Sequence, residues 1–221
     1  AAPDRLQEAL TARRLPDQEK VRRAKLARLR EQGIDPYPVG FPRTHTLAEV
    51  RQQAEGAASD SAAPQVVGVV GRVLRKRDHG GLCFLTIRDG SGDLQVMASR
   101  SVLGDAQHRL FRSLDLGDHV GATGTVVTST SGELTVDATS FALTSKSLRP
   151  LPDKRLGLTD PEARVRMRHV DLIVRPAARD IAYLRSTVVR SIRESLQNRG
   201  YVEVETPILQ LVHGGANARP F

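Results

Sequence analysis

The sequence predicts an α+β protein: an N-terminal helix, then a five-stranded β-barrel, then the helix-led opening of a second domain. Three observations carry this. Residues 18–32 are dense in helix formers, residues 65–145 switch to period-two alternation punctuated by glycine-rich turns, and residues 177–199 return to apolar steps of three and four.

The first helix reads QEKVRRAKLARLREQ, with Asp17 placed to cap its start and Gly33 to terminate it. Val21, Leu26 and Leu29 form a thin apolar stripe among Arg22, Arg23, Lys25, Arg28 and Arg30, which suits either a solvated helix or one that contacts phosphates. DPYPVGFPR is broken by proline and extended, and AEGAASDSAAP, residues 54–64, reads as a loop. Strands are expected at about 66–77, 82–89, 93–98, 118–128 and 133–144, with turns at HGG, DGSGD and TSTSG. SVLGDAQHRLFRSLDL, between the third and fourth strands, has a helical pattern instead. Five strands with a helix after the third is the order of an OB-fold barrel, whose sheet face serves oligonucleotides.

SLRPLPDKRLGLTDP, residues 147–161, carries three prolines and reads as a linker; Asp160 before Pro161 then starts a short basic helix that stops ahead of Pro176. In the helix over 177–199, Ile181, Leu184, Val188, Ile192 and Leu196 share a face, and Gly200 sits at the terminating position. YVEVE alternates as a strand up to Thr206-Pro207. The expected divisions are a basic helical segment at 1–53, the barrel domain at 54–146, a linker at 147–176 and the second domain from 177 to 221.

Composition narrows the function class. Lys and Arg total 33 against 25 Asp and Glu, a net charge of +8 that favours a polyanionic partner. Aromatics are 4% and tryptophan is absent, against carbohydrate binding or a membrane-interface role. One cysteine, Cys83, cannot form an internal disulfide, so the cytoplasm is the expected compartment. There is no apolar run long enough to span a membrane and no signal-peptide segment. The six histidines show no metal-ligand spacing, and DGSGD joins two strands rather than opening a helix, so it is a hairpin and not a phosphate loop.

Strand parity separates the barrel's two faces. Cys83, Leu85 and Ile87 fall inward with Leu94, Val96, Ala98, Leu134, Val136 and Ala138; Phe84, Thr86 and Arg88 fall outward with Gln95, Met97, Glu133, Thr135 and Asp137. Cys83 is therefore expected to be a small core residue. Phe84 beside basic residues is how unpaired bases are held by stacking, while Gln95 and Glu133 can read base edges; the competing reading makes Phe84 rim packing and the others solvated surface.

GYVEVETPIL, residues 200–209, following its amphipathic helix, resembles motif 1 of class II aminoacyl-tRNA synthetases. SLRPLPDK, DPEARVRMRHVDLI and HGGANARPF resemble segments of the lysyl-tRNA synthetases in the same order, so the resemblance runs from about residue 18 to the last residue. It implies an OB-fold anticodon-binding domain followed by the beginning of an antiparallel-sheet catalytic domain, here cut short. Phe84 matches the aromatic that stacks on an anticodon base, Gln95 and Glu133 the residues that read anticodon edges, and Arg77 a basic residue of the same site. Gly214 and Gly215 match a glycine turn that helps bind lysine, and Pro207 matches the homodimer interface.

The activity implied for the parent protein is ATP- and Mg2+-dependent activation of L-lysine and its transfer to tRNA-Lys. Nothing in the chain resembles motif 2 or motif 3, so no residue is assigned as catalytic and the chain alone is expected to be inactive. Two other readings are a short paralogue or module that binds tRNA or another RNA through the barrel without charging it, and a synthetase fused upstream to a lipid-modifying membrane domain.

Overall fold

A computed structural model describes residues 16–56, 65–129, 132–152 and 157–208. The chain divides between Leu151 and Pro152 into two compact units.

In the first unit, α1 (Asp17–Glu31) and α2 (Leu47–Gly56) precede strands β1 (Val66–His79), β2 (Leu82–Arg88) and β3 (Asp93–Ser99); α3 (Arg100–Ser113) follows, then β4 (His119–Thr128) and β5 (Leu134–Ser145). The strands close a barrel in the order β1-β2-β3-β5-β4. Every pairing is antiparallel except β3 with β5, where Gln95, Val96 and Met97 lie opposite Thr135, Val136 and Asp137. The OB-fold strand order and the helix after the third strand are as the alternation predicts.

The barrel is filled by the expected inward positions. Cys83, Leu85, Ile87, Leu94, Val96, Ala98, Val136 and Ala138 have no exposed surface, joined by Val67, Val69, Val73 and Val120 from the two long strands. Burial raises the Cys83 thiol pKa, opposing ionisation, as suits a core residue. α3 closes one end: its Phe111 is fully buried and meets the Phe141 ring edge to face, centroids 5.0 Å apart. Its first turn is set off from the rest by Gly104, whose φ of 74° only glycine adopts without strain.

α1 ends as expected at Gly33 (φ 71°), where Gly33 N–H donates to the Arg30 carbonyl and Ile34 N–H to that of Leu29. Its start differs. Asp17 is the first helical residue and pairs with Lys20 at 3.0 Å, while the Pro16 carbonyl accepts from Glu19 and Lys20. The basic residues of α1 are also not a uniform surface. Arg22 is buried and donates to the carbonyls of Leu116 (3.0 Å), Ser147 (3.1 Å) and Arg149 (3.3 Å). Lys25 meets Asp115 at 2.6 Å, and Asp115 in turn meets Lys146, which also holds Asp118. Opposite charges pin the helix to the barrel, so these two cations serve the fold.

Period-two alternation gives no sign of α2, and residues 54–56, expected as the start of a loop, belong to it. Its signal is a capping box, Thr46-Leu-Ala-Glu49: Glu49 accepts from Thr46 N–H at 2.7 Å and Thr46 Oγ1 accepts from Glu49 N–H at 3.2 Å. The β2–β3 turn supplies a second cap, because Asp89 accepts from Leu47 N–H at 3.0 Å as well as from Ser91 and Gly92 of its own turn. DGSGD thus joins two strands, as expected, and spends its carboxylate on the protein's own helix.

The second unit contains α4 (Pro161–Arg166), α5 (Arg168–Val174) and α6 (Pro176–Gln197). Asp160 caps α4, accepting from Glu162 and Ala163 N–H groups. The basic helix expected before Pro176 is two helices, parted at Met167 (φ −108°, ψ 47°); in the second, buried Asp171 holds Arg168 at 2.8 Å and Arg175, just past the helix end, at 2.9 Å. α6 ends at Gly200 (φ 86°), with Tyr201 N–H donating to the Leu196 carbonyl. Tyr201–Glu205, expected as a strand, makes no sheet pairing among the described residues. Alternation prepares a segment for a sheet, but a strand needs a hydrogen-bonded neighbour.

Candidate nucleic-acid interface

Much of the barrel's outer surface is already occupied by the protein's own chain. Residues 41–46 strap across β1 and β4, with Thr44 N–H donating to the Gly68 carbonyl at 2.9 Å. The strap lies so close that a Cβ on Gly121 would stand 2.5 Å from the Phe41 ring, and one on Gly68 2.6 Å from the Pro42 carbonyl oxygen. The face left for a partner is built from the C-terminal part of β1, β2 and β3.

Register places the candidate residues on it. Residues directly opposite on neighbouring strands share a face, so the pairs Arg77↔Phe84 and Phe84↔Met97 form one row. The pairs Arg75↔Thr86, Thr86↔Gln95 and Gln95↔Thr135 form the next. Phe84 is partly exposed, and the His79 ring stands edge-on to it, centroids 5.9 Å apart and planes at 74°. An aromatic in this setting offers a stacking surface, with a guanidinium beside it on the adjoining strand.

A bulge puts that guanidinium there. Along β1, Val67, Val69 and Val73 point into the core, and uninterrupted alternation would send Arg75 and Arg77 in after them. The register instead shifts between Val73 and Arg75, with Leu74 as the extra residue. Parity is reversed beyond it, and Arg75 and Arg77 emerge opposite Thr86 and Phe84. The positions turned the other way, Lys76 and Asp78, engage α3: Lys76 donates to the carbonyls of Arg112 (2.7 Å) and Leu114 (2.9 Å), and Asp78 pairs with Arg112 at 2.6 Å. Cationic hydrogen-bond donors at a helix C-terminus meet its unpaired carbonyls, which anchors the reversed register.

The other candidates differ in availability. Gln95 is only 6% exposed, and its Nε2 donates to Thr135 Oγ1 at 3.0 Å, which itself donates to the Glu133 carbonyl at 2.9 Å. The amide is thereby held in one orientation, with Oε1 making no hydrogen bond among the described residues. Glu133 has an exposed side chain just ahead of β5, beyond the Gln95 row toward the Asp93 end of β3. Arg88 shares the outer face but is engaged by both carboxylate oxygens of Asp93, an interaction that raises its pKa. Among the described residues Arg77 makes no hydrogen bond or ion pair. The structure therefore brings Arg77, Phe84 and Gln95 into adjoining rows and leaves Glu133 at the edge.

Asp137 belongs to the Phe84 row through Met97, and its Oδ1 is buried without a hydrogen-bond partner among the described residues. Parity in the sequence gives its face; its lack of a partner is visible only in the packed structure. Pro207 is exposed, whereas Gly214 and Gly215 lie outside the described residues. Among the described residues no cluster of three or more His, Cys, Asp or Glu side chains could hold a metal, and no helix is long and apolar enough to cross a membrane.

Comparison with known proteins fits this geometry. Residues 67–144 match the family described as an OB-fold nucleic acid binding domain, and residues 160–221 match the class II tRNA synthetases of the D, K and N type. The chain is 53% identical to a lysine–tRNA ligase of Mycobacterium tuberculosis over 213 residues, which is 96% of this chain and 42% of that relative. It is 49% identical over 209 residues to the lysylphosphatidylglycerol biosynthesis bifunctional protein LysX of Nocardia farcinica, covering 94% of this chain and 18% of that relative. The chain thus spans less than half the length of the curated relatives it matches.

Proposed function

Since this chain belongs to the class II lysyl-tRNA synthetase family, we propose that it carries the anticodon-reading part of a lysine–tRNA ligase together with the opening of that enzyme's catalytic domain. The whole protein would activate lysine with ATP in the cytoplasm and transfer it to tRNA-Lys, while the barrel checks the anticodon. The observation that supports this best is the open β1–β2–β3 face, where Phe84 lies beside an unpaired Arg77 and an oriented Gln95.

In this reading Phe84 stacks on an anticodon base, Arg77 meets the backbone, and Gln95 and Glu133 read base edges. Stacking gives affinity without sequence preference, so discrimination falls to the hydrogen-bonding pair. Gly214 and Gly215 would help seat lysine. ATP and magnesium belong to the proposed reaction, and among the described residues no His, Cys, Asp or Glu cluster could hold the metal. The exposed apolar face of α6, with Ile181, Leu184, Val188, Ile192 and Leu196, suits a symmetric partner in the whole protein, with Pro207 in the same interface. A module that only bound RNA would have no need of the class II segment matched over 160–221.

The test is binding of the tRNA-Lys anticodon stem-loop. Phe84→Ala should weaken it roughly ten- to a hundredfold, equivalent to about 1–3 kcal/mol of lost stacking, without changing Tm. Wild-type affinity in that variant would refute the assignment of this face, and a lowered Tm with unchanged affinity would make Phe84 a packing residue.

A further inference from the structure

The reversal of β1 at Leu74 exposes two arginines, and the anticodon-reading assignment uses Arg77 alone. Arg75 is exposed, stands two residues away on the same face, and makes no hydrogen bond or ion pair among the described residues. The neighbouring cations of that face are committed elsewhere. Arg72 donates to the Gly117 carbonyl at 3.0 Å, and Arg88 is held by Asp93. Among the described residues Arg75 and Arg77 are therefore the cations on this part of the barrel whose charge is left for a ligand.

Their placement specifies the ligand's shape. Each heads its own row: Arg77 leads to Phe84, and Arg75 leads through Thr86 to Gln95. Two residues along a strand separate the rows by roughly 7 Å. The guanidinia thus follow a line along β1 instead of converging on one point, which suits an extended, regularly charged backbone better than a single small anion. Of the carboxylates on the face, Asp93 is taken up by Arg88, while Glu133 and Asp137 belong to β5 and its approach, on the far side of β3 from β1. The charge gradient across the sheet therefore sets phosphates over β1 and bases over β2 and β3.

We propose that Arg75 holds a second phosphate of the bound single strand, so that this face seats two successive nucleotides, one on the Arg77–Phe84 row and one on the Arg75–Thr86–Gln95 row. The proposal rests on the anticodon-reading assignment and adds to it a residue and a count of nucleotides.

The experiment measures anticodon stem-loop affinity across a salt series for the full-length protein and its Arg75→Ala, Arg75→Lys and Phe84→Ala variants. Each phosphate contact on a single strand contributes about 0.7 to the slope of log K against log salt. Arg75→Ala should flatten the slope by about that amount, so over a fourfold rise in salt it loses roughly 2.6-fold less affinity than wild type. Arg75→Lys should restore the slope, because a point charge suffices for a phosphate. Phe84→Ala should bind more weakly with its slope intact. An unchanged slope in Arg75→Ala, alongside weakened binding in Phe84→Ala, overturns the second phosphate and leaves the anticodon-reading assignment standing. Wild-type affinity in Phe84→Ala overturns both.

Discussion

Replacing Lys146 with Met removes the ammonium from a cluster that water barely reaches. Lys146 Nζ donates to Asp115 Oδ2 at 2.7 Å and to the two oxygens of Asp118 at 2.9 and 3.0 Å; the side chains of Lys146 and Asp118 are 2% and 0% exposed. Asp115 would keep Lys25, but Asp118 would keep only the backbone N–H groups of Asp115 and Ser147, each at 2.8 Å. Breaking a buried pair costs about 3–5 kcal/mol, because the remaining charge is left uncompensated. Two amide donors soften that charge, so the lower end, about 3 kcal/mol, is expected here. A domain with about 5–15 kcal/mol of stability would lose a substantial share. In urea unfolding followed by circular dichroism, a slope of about 1–3 kcal/mol per molar converts the loss into a midpoint lower by about 1–3 M. Asp118→Asn keeps the shape and removes the charge, so in the Lys146→Met background it should recover part of the loss. A loss below about 1 kcal/mol in Lys146→Met would show that the charges are hydrated, and the account of how α1 is pinned to the barrel would fail.

Asp89→Ala removes the carboxylate that caps α2 and should cost about 1–2 kcal/mol in urea unfolding. Although burial opposes ionisation of Asp89, hydrogen bonds from Ser91, Leu47 and Gly92 outweigh it and hold the pKa below 3.8. The folded state thus binds fewer protons than the unfolded chain, its Asp89 stabilisation is complete above the ordinary value, and it disappears as pH falls through the folded one. The acid limb of stability against pH should be shallower in the variant, and an identical limb would count against the cap. Deleting Leu74 should erase the bulge and leave Val73 directly before Arg75, so that plain alternation keeps Arg75 and Arg77 opposite Thr86 and Phe84; this variant should bind the stem-loop, and so should Leu74→Ala. Loss of binding by a folded deletion variant would remove this register from the explanation. Cys83, whose thiol is raised by burial, should resist iodoacetamide in the native protein and react on unfolding. Fast native alkylation would place it outside the core.

Local chemistry determined much of this protein. Alternation in β2, β3 and β5 placed Cys83, Leu85, Val96 and Val136 inside and Phe84 and Gln95 on the opposite face, because each side-chain direction follows from the residue before it. Gly33, Gly200 and Asp160 marked helix ends through bonds that reach only a few residues. The Thr46–Glu49 box was equally local, and reading it would have revealed α2. Tertiary structure decided what depends on partners distant in sequence. Arg22 and Lys25 look like surface charge until residues near 115 and 147 close over them. Gln95 looks like a free amide until the parallel pairing brings Thr135 against it. Above all, strict alternation in β1 gives the wrong face for Arg75 and Arg77, because the bulge that turns them outward is a mismatch in length between β1 and β2, and a mismatch exists only when both strands are paired.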